Sequence, residues 1–144
     1  MSESLHDTAW LLFGYIQSLG GTLKLENERV SFEGAGEGLA GVPGFLRFSV
    51  RRLEKSAKRP GLARALLSYE NAIVFDVPIS EIEEMKVPFH RSGINLNIGG
   101  NRYRFSFARP QNTSIRPELG GLPDAMEATK SWREALGSRG VSIS

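Results

Sequence analysis

FDVPISEIEEMKVPFHRSGINLNIGGNRYRFSF, residues 75–107, contains three runs with the composition of β-strands. Apolar and polar residues alternate over residues 94–98 and again over residues 103–107, and a less regular apolar run covers residues 77–87. Alternation with a period of two places one set of side chains on a core face and the other in water. Gly99 and Gly100 predict a hairpin turn between the last two runs, because both central residues of a tight turn can require positive φ. The stretch predicts a mainly β fold.

Upstream and downstream segments extend this pattern. GGTLKLENERVSFEG, residues 20–34, has the composition of two strands joined by a turn, and residues 127–136 form a helical pattern that contains Trp132. Together with residues 75–107, they resemble the GRAM and bacterial pleckstrin-homology-like domains. The resemblance covers residues 20–34 and 73–138.

The resemblance implies a single domain over residues 1–144, with an insertion at about residues 35–72. Its fold would be a strongly bent antiparallel β-sandwich or barrel of about seven strands, capped by a C-terminal helix, with helical structure in the insertion. Trp132 would close the open end of the sheet. Domains of this kind usually bind lipids or proteins and are seldom catalytic.

Composition sets the class of protein. With 40% hydrophobic and 24% charged residues among 144, the chain resembles an ordinary globular domain that buries its own core. It has no cysteine, which excludes disulfides and thiolate metal sites. The longest apolar run, residues 9–16, is interrupted by Gly14 and is shorter than the ~20 residues that span a bilayer. The first seven residues, MSESLHD, lack the basic start of a secretory signal. We therefore expect a cytoplasmic protein.

The pattern of apolar and polar residues is less regular in residues 8–44. Residues 8–19 fit either a strand or a helix, and their aromatic content favours a strand. Residues 22–25 and 29–32 predict a hairpin across residues 26–28, with Leu23, Leu25, Val30 and Phe32 pointing inward. Glycine-rich residues 34–44 predict a flexible loop. A phosphate cradle is disfavoured there because Glu37 is the only charged residue.

The C-terminal part predicts one helix. Its apolar positions share one face, and they are Ala125, Ala128, Trp132, Ala135 and Leu136. Pro123 suits a helix start, where its missing N–H has no cost. Gly137 predicts the helix end, and residues 139–144 are expected to fray.

Positive charge is concentrated in residues 47–64, called here the basic segment. It holds seven Lys and Arg residues and a single acidic one, Glu54, whereas the rest of the chain holds 11 basic and 15 acidic residues. Residues 45–52 fit a helix or a strand equally well. We expect a helix from Leu53 onward, a break at Pro60-Gly61, and a short second helix over residues 62–67.

The basic segment is the candidate binding site. An amphipathic basic segment can lie in the headgroup region of an anionic membrane, where each Lys or Arg contributes ~1 kcal/mol. That interpretation predicts peripheral attachment at the inner face of the membrane. The candidate lipid- or anion-binding residues are Arg47, Phe48, Arg51, Arg52, Lys55, Lys58 and Arg59.

The resemblance qualifies this candidate. Phosphoinositide-binding members carry basic residues on the first two strands, whereas residues 17–25 offer only Lys24. We therefore expect non-specific attraction to anionic lipid rather than recognition of one headgroup.

Other interpretations of the basic segment remain open. Leu46, Val50 and Leu53 could pack on the domain while the charges are simply solvated. The domain could instead bind a protein through a sheet edge or the groove beside the C-terminal helix. Nucleic acid is disfavoured, because single-strand binders interleave basic residues with stacking aromatics and few aromatics are near.

The sequence contains no clear arrangement of catalytic or metal-binding residues. His6 and His90 have no partner at a metal-ligand spacing. Glu81, Glu83 and Glu84 form an acidic cluster, which the strand pattern explains as a solvated edge. We therefore expect a non-catalytic binding module with no catalytic residues, metal, cofactor or small-molecule substrate. Oligomeric state and ligand identity stay open.

Overall fold

Seven antiparallel strands form one curled sheet, a half-barrel, in the computed structural model. It describes residues 4–13, 17–40, 51, 53–55, 57–68, 70–88, 92–108 and 122–144. The strands are β1 (Leu5–Phe13), β2 (Gln17–Glu26), β3 (Arg29–Ala40), β4 (Ala72–Pro78), β5 (Ile82–Lys86), β6 (Gly93–Ile98) and β7 (Asn101–Ser106). A short helix (Leu62–Leu67) lies in the insertion, and a C-terminal helix (Leu122–Ser138) follows the sheet. The predicted fold class is confirmed.

The strand order is β4-β3-β2-β1-β7-β6-β5. Strands β4 and β5 therefore form the two edges of the sheet, although a single 3-10 turn, Ile79–Glu81, joins them. A three-residue connection between opposite edges requires the sheet to curl until its two ends meet on one side. The turn is held there by the N–H of Ile79, which donates to the carbonyl of Glu28 at 3.0 Å.

Both predicted hairpins are present. Gly99 and Gly100 have φ of 58° and 82°, and Ile98 pairs with Asn101 on either side of them. The β2–β3 turn is similar: Asn27 and Glu28 have φ of 54° and 59°. Positive φ at both central residues defines the turn whose twist matches that of antiparallel strands.

The core lies on the concave face of the sheet. The four side chains predicted to point inward from β2 and β3, Leu23, Leu25, Val30 and Phe32, are completely buried. Phe32 contacts the ring of Phe105 at 4.9 Å between centroids, and Phe75 contacts that of Tyr103 at 4.8 Å. Burial raises the pKa of Tyr103 above its ordinary value of 10.0.

Trp132 attaches the C-terminal helix to the sheet. It is completely buried and stacks on Phe107 with 6.4 Å between ring centroids. Its indole N–H donates to a carboxylate oxygen of Asp7 on β1 at 2.7 Å. Ala125, Ala135 and Leu136 are buried on the same face as predicted, with Ala128 half-buried. Thr129 joins this face, where its hydroxyl donates to the carbonyl of Ala125.

Two stretches expected to be single strands are divided in the structure. Within residues 8–19, β1 ends at Phe13 and β2 starts at Gln17, and these two residues pair. Residues 77–87 are split between β4 and β5, on opposite edges of the sheet. Pro78 explains the second break, because proline has no N–H for a strand ladder.

The prediction of a loop from residue 34 is wrong for residues 34–40, which continue β3. Glycine is required here for strand packing. Gly21 pairs with Gly34, and a Cβ at Gly21 would lie 2.2 Å from the carbonyl oxygen of Glu33. At Gly21 the backbone of β3 excludes a side chain, and at Gly34 a Cβ would lie 2.6 Å from the side chain of Leu19. Residues 41–44 lie outside the described residues.

The helix end is also corrected. The C-terminal helix continues through Gly137 to Ser138, and Gly140, with φ of 90°, ends it. The N–H of Gly140 donates to the carbonyl of Gly137, and that of Val141 donates to the carbonyl of Leu136, both at 3.1 Å. This is a Schellman motif, and its apolar contact is between Val141 and Leu136. The residues after it do not fray, because they pair with β5.

Candidate functional site

The basic segment is exposed on its charged side and buried on its apolar side. Arg51, Lys55, Lys58 and Arg59 are all exposed, whereas Leu53 is 2% exposed within the hydrophobic core. The described residues 51, 53–55 and 57 are helical, which confirms the helix from Leu53. Of the other predicted binding residues, Arg47, Phe48 and Arg52 lie outside the described residues, as do Leu46 and Val50.

A tight corner positions the basic side chains. Lys58 has φ of 52° and Gly61 has φ of 87°, so the chain reverses around Pro60. The carboxylate of Glu54 accepts the N–H of Ala63 at 2.8 Å, in the first turn of the short helix. The one acidic side chain of the basic segment is thus occupied by a backbone donor.

The corner lies against β4, an edge strand of the sheet. The guanidinium of Arg59 donates to the backbone carbonyl of Ile73. The side chain of Ile73 is 41% exposed, and Leu67 on the short helix is 40% exposed. Arg64 and Leu67 are three residues apart on that helix and therefore share a face.

Seven exposed residues of the basic segment, the short helix and β4 are grouped here as the β4 surface. It consists of Arg51, Lys55, Lys58, Arg59, Arg64, Leu67 and Ile73. None of its five cations forms a salt bridge with a described carboxylate. Leu67 and Ile73 were not identified from the sequence. Leu67 could have been found from the sequence, because helical spacing places it on the same face as the charged Arg64. That face is expected to be exposed to solvent.

The outer face of β1–β4 has balanced charges. A depression of about 470 Å³ there is lined by both signs of charge and by Ile73, whose partner on β3 is Glu33, so this face borders the β4 surface. Lys24 lies 3.5 Å from Glu26, which is also 3.4 Å from His6, and Arg29 pairs with Asp76 at 3.0 Å. This arrangement leaves no surplus of cations on the outer face of β1–β4.

A second concave surface lies beside the C-terminal helix and is called here the helix groove. It has a volume of about 890 Å³. Its lining residues are Val87, Met126, Glu127, Thr129, Lys130, Arg133, Glu134, Gly137, Ser138 and Ile143. Met126 is 44% exposed, and the charged side chains are two acids and two bases. The groove thus combines an exposed apolar anchor with a rim of mixed charge.

One wall of the helix groove comes from residues 141–144, called here the tail segment. The N–H of Met85 donates to the carbonyl of Ser142 at 2.8 Å, and the N–H of Ser144 donates back to Met85 at 3.0 Å. Met85 and Ile143 form a parallel bridge. The sequence signal was the alternation of Val141 and Ile143 with serines, which is too short to distinguish from a frayed end.

Two of the three acidic residues at the start of β5 make hydrogen bonds within the fold. Glu83 accepts the N–H of Gly100 at 2.8 Å and so supports the β6–β7 turn. Glu84 accepts the hydroxyl of Ser144 at 2.6 Å. His90 lies outside the described residues. Within the described ranges, no three His, Asp or Glu side chains are grouped as metal ligands, and no helix is long and apolar enough to cross a membrane.

Comparison with known proteins found no matching family model, no matching curated protein and no matching solved structure. The resemblance to GRAM and bacterial pleckstrin-homology-like domains therefore stays a prediction. What the chain binds has to be inferred from the charge, exposure and contacts of its surfaces.

Proposed function

We propose that this protein is a non-catalytic binding domain that attaches peripherally to anionic membranes through the β4 surface. The cytoplasmic leaflet of a cell membrane carries the negative surface potential that such a surface requires. Attachment would be non-specific among anionic lipids, since the charge balance on the outer face of β1–β4 offers no second basic patch to select a headgroup.

The observation that carries this proposal is the combination of charge and apolar exposure in one place. The basic segment carries five cations without a described acidic partner, and one of them, Arg59, contacts β4 at Ile73. Ile73 and Leu67, on the short helix that begins within this segment, are two of the three large apolar side chains that are exposed in the described part of the chain. Each cation near an anionic bilayer contributes ~1 kcal/mol. Leu67 and Ile73 would add affinity by burial among the lipid headgroups.

Sedimentation with lipid vesicles tests the charge contribution. Vesicles with and without acidic lipid are compared at low and at physiological salt, because exposed charges are screened beyond ~8–10 Å. Replacement of Arg51, Lys55 and Arg64 by Gln should weaken binding to acidic vesicles by up to ~3 kcal/mol, with no change in melting temperature.

A matched control removes the same charge elsewhere. Lys86, Arg102 and Arg104 are exposed on β5 and β7, and their replacement by Gln should leave vesicle binding nearly unchanged. Equal weakening by both triple variants would show that net charge alone drives binding. An unaltered protein with no preference for acidic vesicles at low salt would overturn the membrane proposal.

The apolar contribution has a different signature. Leu67→Ser and Ile73→Ser should each weaken binding by a similar factor at both salt concentrations, because burial of apolar surface is not screened by ions. A salt-dependent loss would mean that these side chains act only by orienting neighbouring charges.

A second candidate function is the binding of a protein segment in the helix groove. The specific observation that favours it is Met126, exposed beside a concave surface whose apolar lining also includes Val87 and Ile143. Methionine adapts its shape to different apolar partners. This function would use the opposite edge of the sheet from the membrane surface, so both can operate in one molecule.

A further inference from the structure

We infer that the tail segment occupies, within its own chain, a docking site for an extended segment of a partner protein, which binds by replacing it. The inference rests on the second proposed function and specifies its ligand. The site consists of the outer edge of β5 and the adjoining end of the helix groove.

The backbone of β5 supplies the hydrogen bonds of the docking site. β6 occupies one edge of β5. On the other edge, Met85 exchanges two hydrogen bonds with the tail segment, and the N–H of Val87 donates to the carbonyl of Ser144 at 3.3 Å. These donors and acceptors are main-chain atoms, so they accept any extended segment whose side chains fit.

Ile143 defines the side chain that fits. It is half-buried, and its Cγ1 lies 3.6 Å from the position that a Cβ on Gly137 would occupy. This is an ordinary van der Waals distance, so the aliphatic side chain of Ile143 packs beside the C-terminal helix at Gly137. Ser142 and Ser144 on either side are exposed. The ligand is therefore an extended segment with one aliphatic residue at the position of Ile143, flanked by residues whose side chains face solvent.

The contacts of the tail segment suit replacement. Val141 is buried and belongs to the helix-ending motif, so it fixes the point from which residues 142–144 can separate. Beyond it, three main-chain hydrogen bonds join the tail segment to β5, and the hydroxyl of Ser144 donates to the half-buried Glu84. When residues 142–144 leave, they expose an unpaired strand edge, which is a template for another strand.

Amide hydrogen exchange of the full chain tests whether the tail segment can be released. Ile143→Asp should abolish the protection of the Met85 and Val87 amides while the amide of Leu96 in β6 stays protected. Ser142→Asp is the matched control: it adds the same charge on an exposed side chain and should keep both amides protected. Persistent protection in Ile143→Asp would overturn the inference, because the tail segment would then be a fixed part of the fold.

A labelled peptide with the sequence of residues 139–144, RGVSIS, tests replacement by fluorescence anisotropy. It should bind Ile143→Asp at least about tenfold more tightly than the unaltered chain or Ser142→Asp, because a tethered tail competes at an effective concentration of the order of mM. The same peptide with Asp in place of isoleucine should not bind.

Two results would overturn the inference in distinguishable ways. Equal binding to the unaltered chain and to Ile143→Asp would show a groove that takes a segment beside the tail, so the second function would stand without replacement. No binding to Ile143→Asp, although its β5 edge exchanges freely, would remove the β5 edge as a docking site for a segment of this chemistry.

Discussion

The two edges of this sheet are covered by different means. At the β5 edge, the tail segment continues the sheet with main-chain hydrogen bonds, and the nearby helix is fixed by the buried Trp132. At the β4 edge, the short helix lies close to β4, and the exposed Arg59 donates to the carbonyl of Ile73. Main-chain pairing and burial stabilise the β5 edge. At the β4 edge, the charged side chains and the two aliphatic side chains, Leu67 and Ile73, are exposed to solvent.

This difference separates stability from binding. Substitutions near the C-terminal helix should change the free energy of unfolding, because they remove buried contacts. Substitutions on the β4 surface should change vesicle binding with little effect on stability, because exposed side chains contribute little to folding.

The largest effect is expected at Trp132. Trp132→Ala removes a completely buried ring, its stacking on Phe107 and its hydrogen bond to Asp7. It should lower the free energy of unfolding by ~3–5 kcal/mol, measured by denaturant titration. Arg133→Ala, at the exposed neighbouring position, should stay within about 0.5 kcal/mol of the unaltered protein. Similar stability of both variants would show that the helix is not docked through Trp132.

The next effect is expected at Asp7. Asp7→Ala leaves the buried indole N–H of Trp132 without its acceptor and should cost about 1.5–3 kcal/mol. Asp7→Asn keeps an acceptor oxygen at the same place and should retain most of this energy. Equal loss in the two variants would mean that the charge of Asp7, rather than its hydrogen bond, holds the helix.

A pair of glycines tests the corrected end of the C-terminal helix. Gly140→Ala places a side chain at φ of 90° and should destabilise by about 1 kcal/mol. Gly137→Ala lies within the helix and should be neutral or stabilise by up to about 1 kcal/mol, because alanine favours helix. The melting temperature of Gly140→Ala should therefore lie below that of the unaltered protein, and that of Gly137→Ala should equal or exceed it. The reverse order would restore Gly137 as the helix end.

The smallest effect is expected at the β4 edge. Arg59→Ala removes an exposed hydrogen bond to Ile73 and should cost less than about 1 kcal/mol. A loss as large as that of Trp132→Ala would show that the two edges are held equally firmly, which contradicts the comparison between them.

The sequence predicted those elements that depend on residues close together along the chain. The turn at Gly99 and Gly100 and the short helix over Leu62–Leu67 followed from residues next to one another. The continuation of β3 through its glycine-rich stretch did not, because it depends on Gly21, which is distant along the chain. Pairing of the tail segment with β5 likewise joins residues about 60 positions apart, which four residues of alternation cannot specify.

The candidate site was likewise predicted only in part. Charge along residues 47–64 identified the cations, and of the two interpretations of Leu53 that the sequence left open, the structure has the one in which it packs on the domain. The apolar partners of those cations were missed, since Ile73 reaches Arg59 only because β4 is an edge strand. Strand order is a property of the whole sheet, so no segment of the sequence displays it.

The central claim is that the β4 surface faces the membrane, and the cysteine-free sequence allows a direct test. An environment-sensitive fluorophore is attached to a single cysteine, in Leu67→Cys or in Glu134→Cys, which lies on the helix groove. With acidic vesicles at low salt, emission should shift to shorter wavelength at residue 67 and stay unchanged at residue 134. A shift at residue 134 alone, or at neither position, would contradict this orientation.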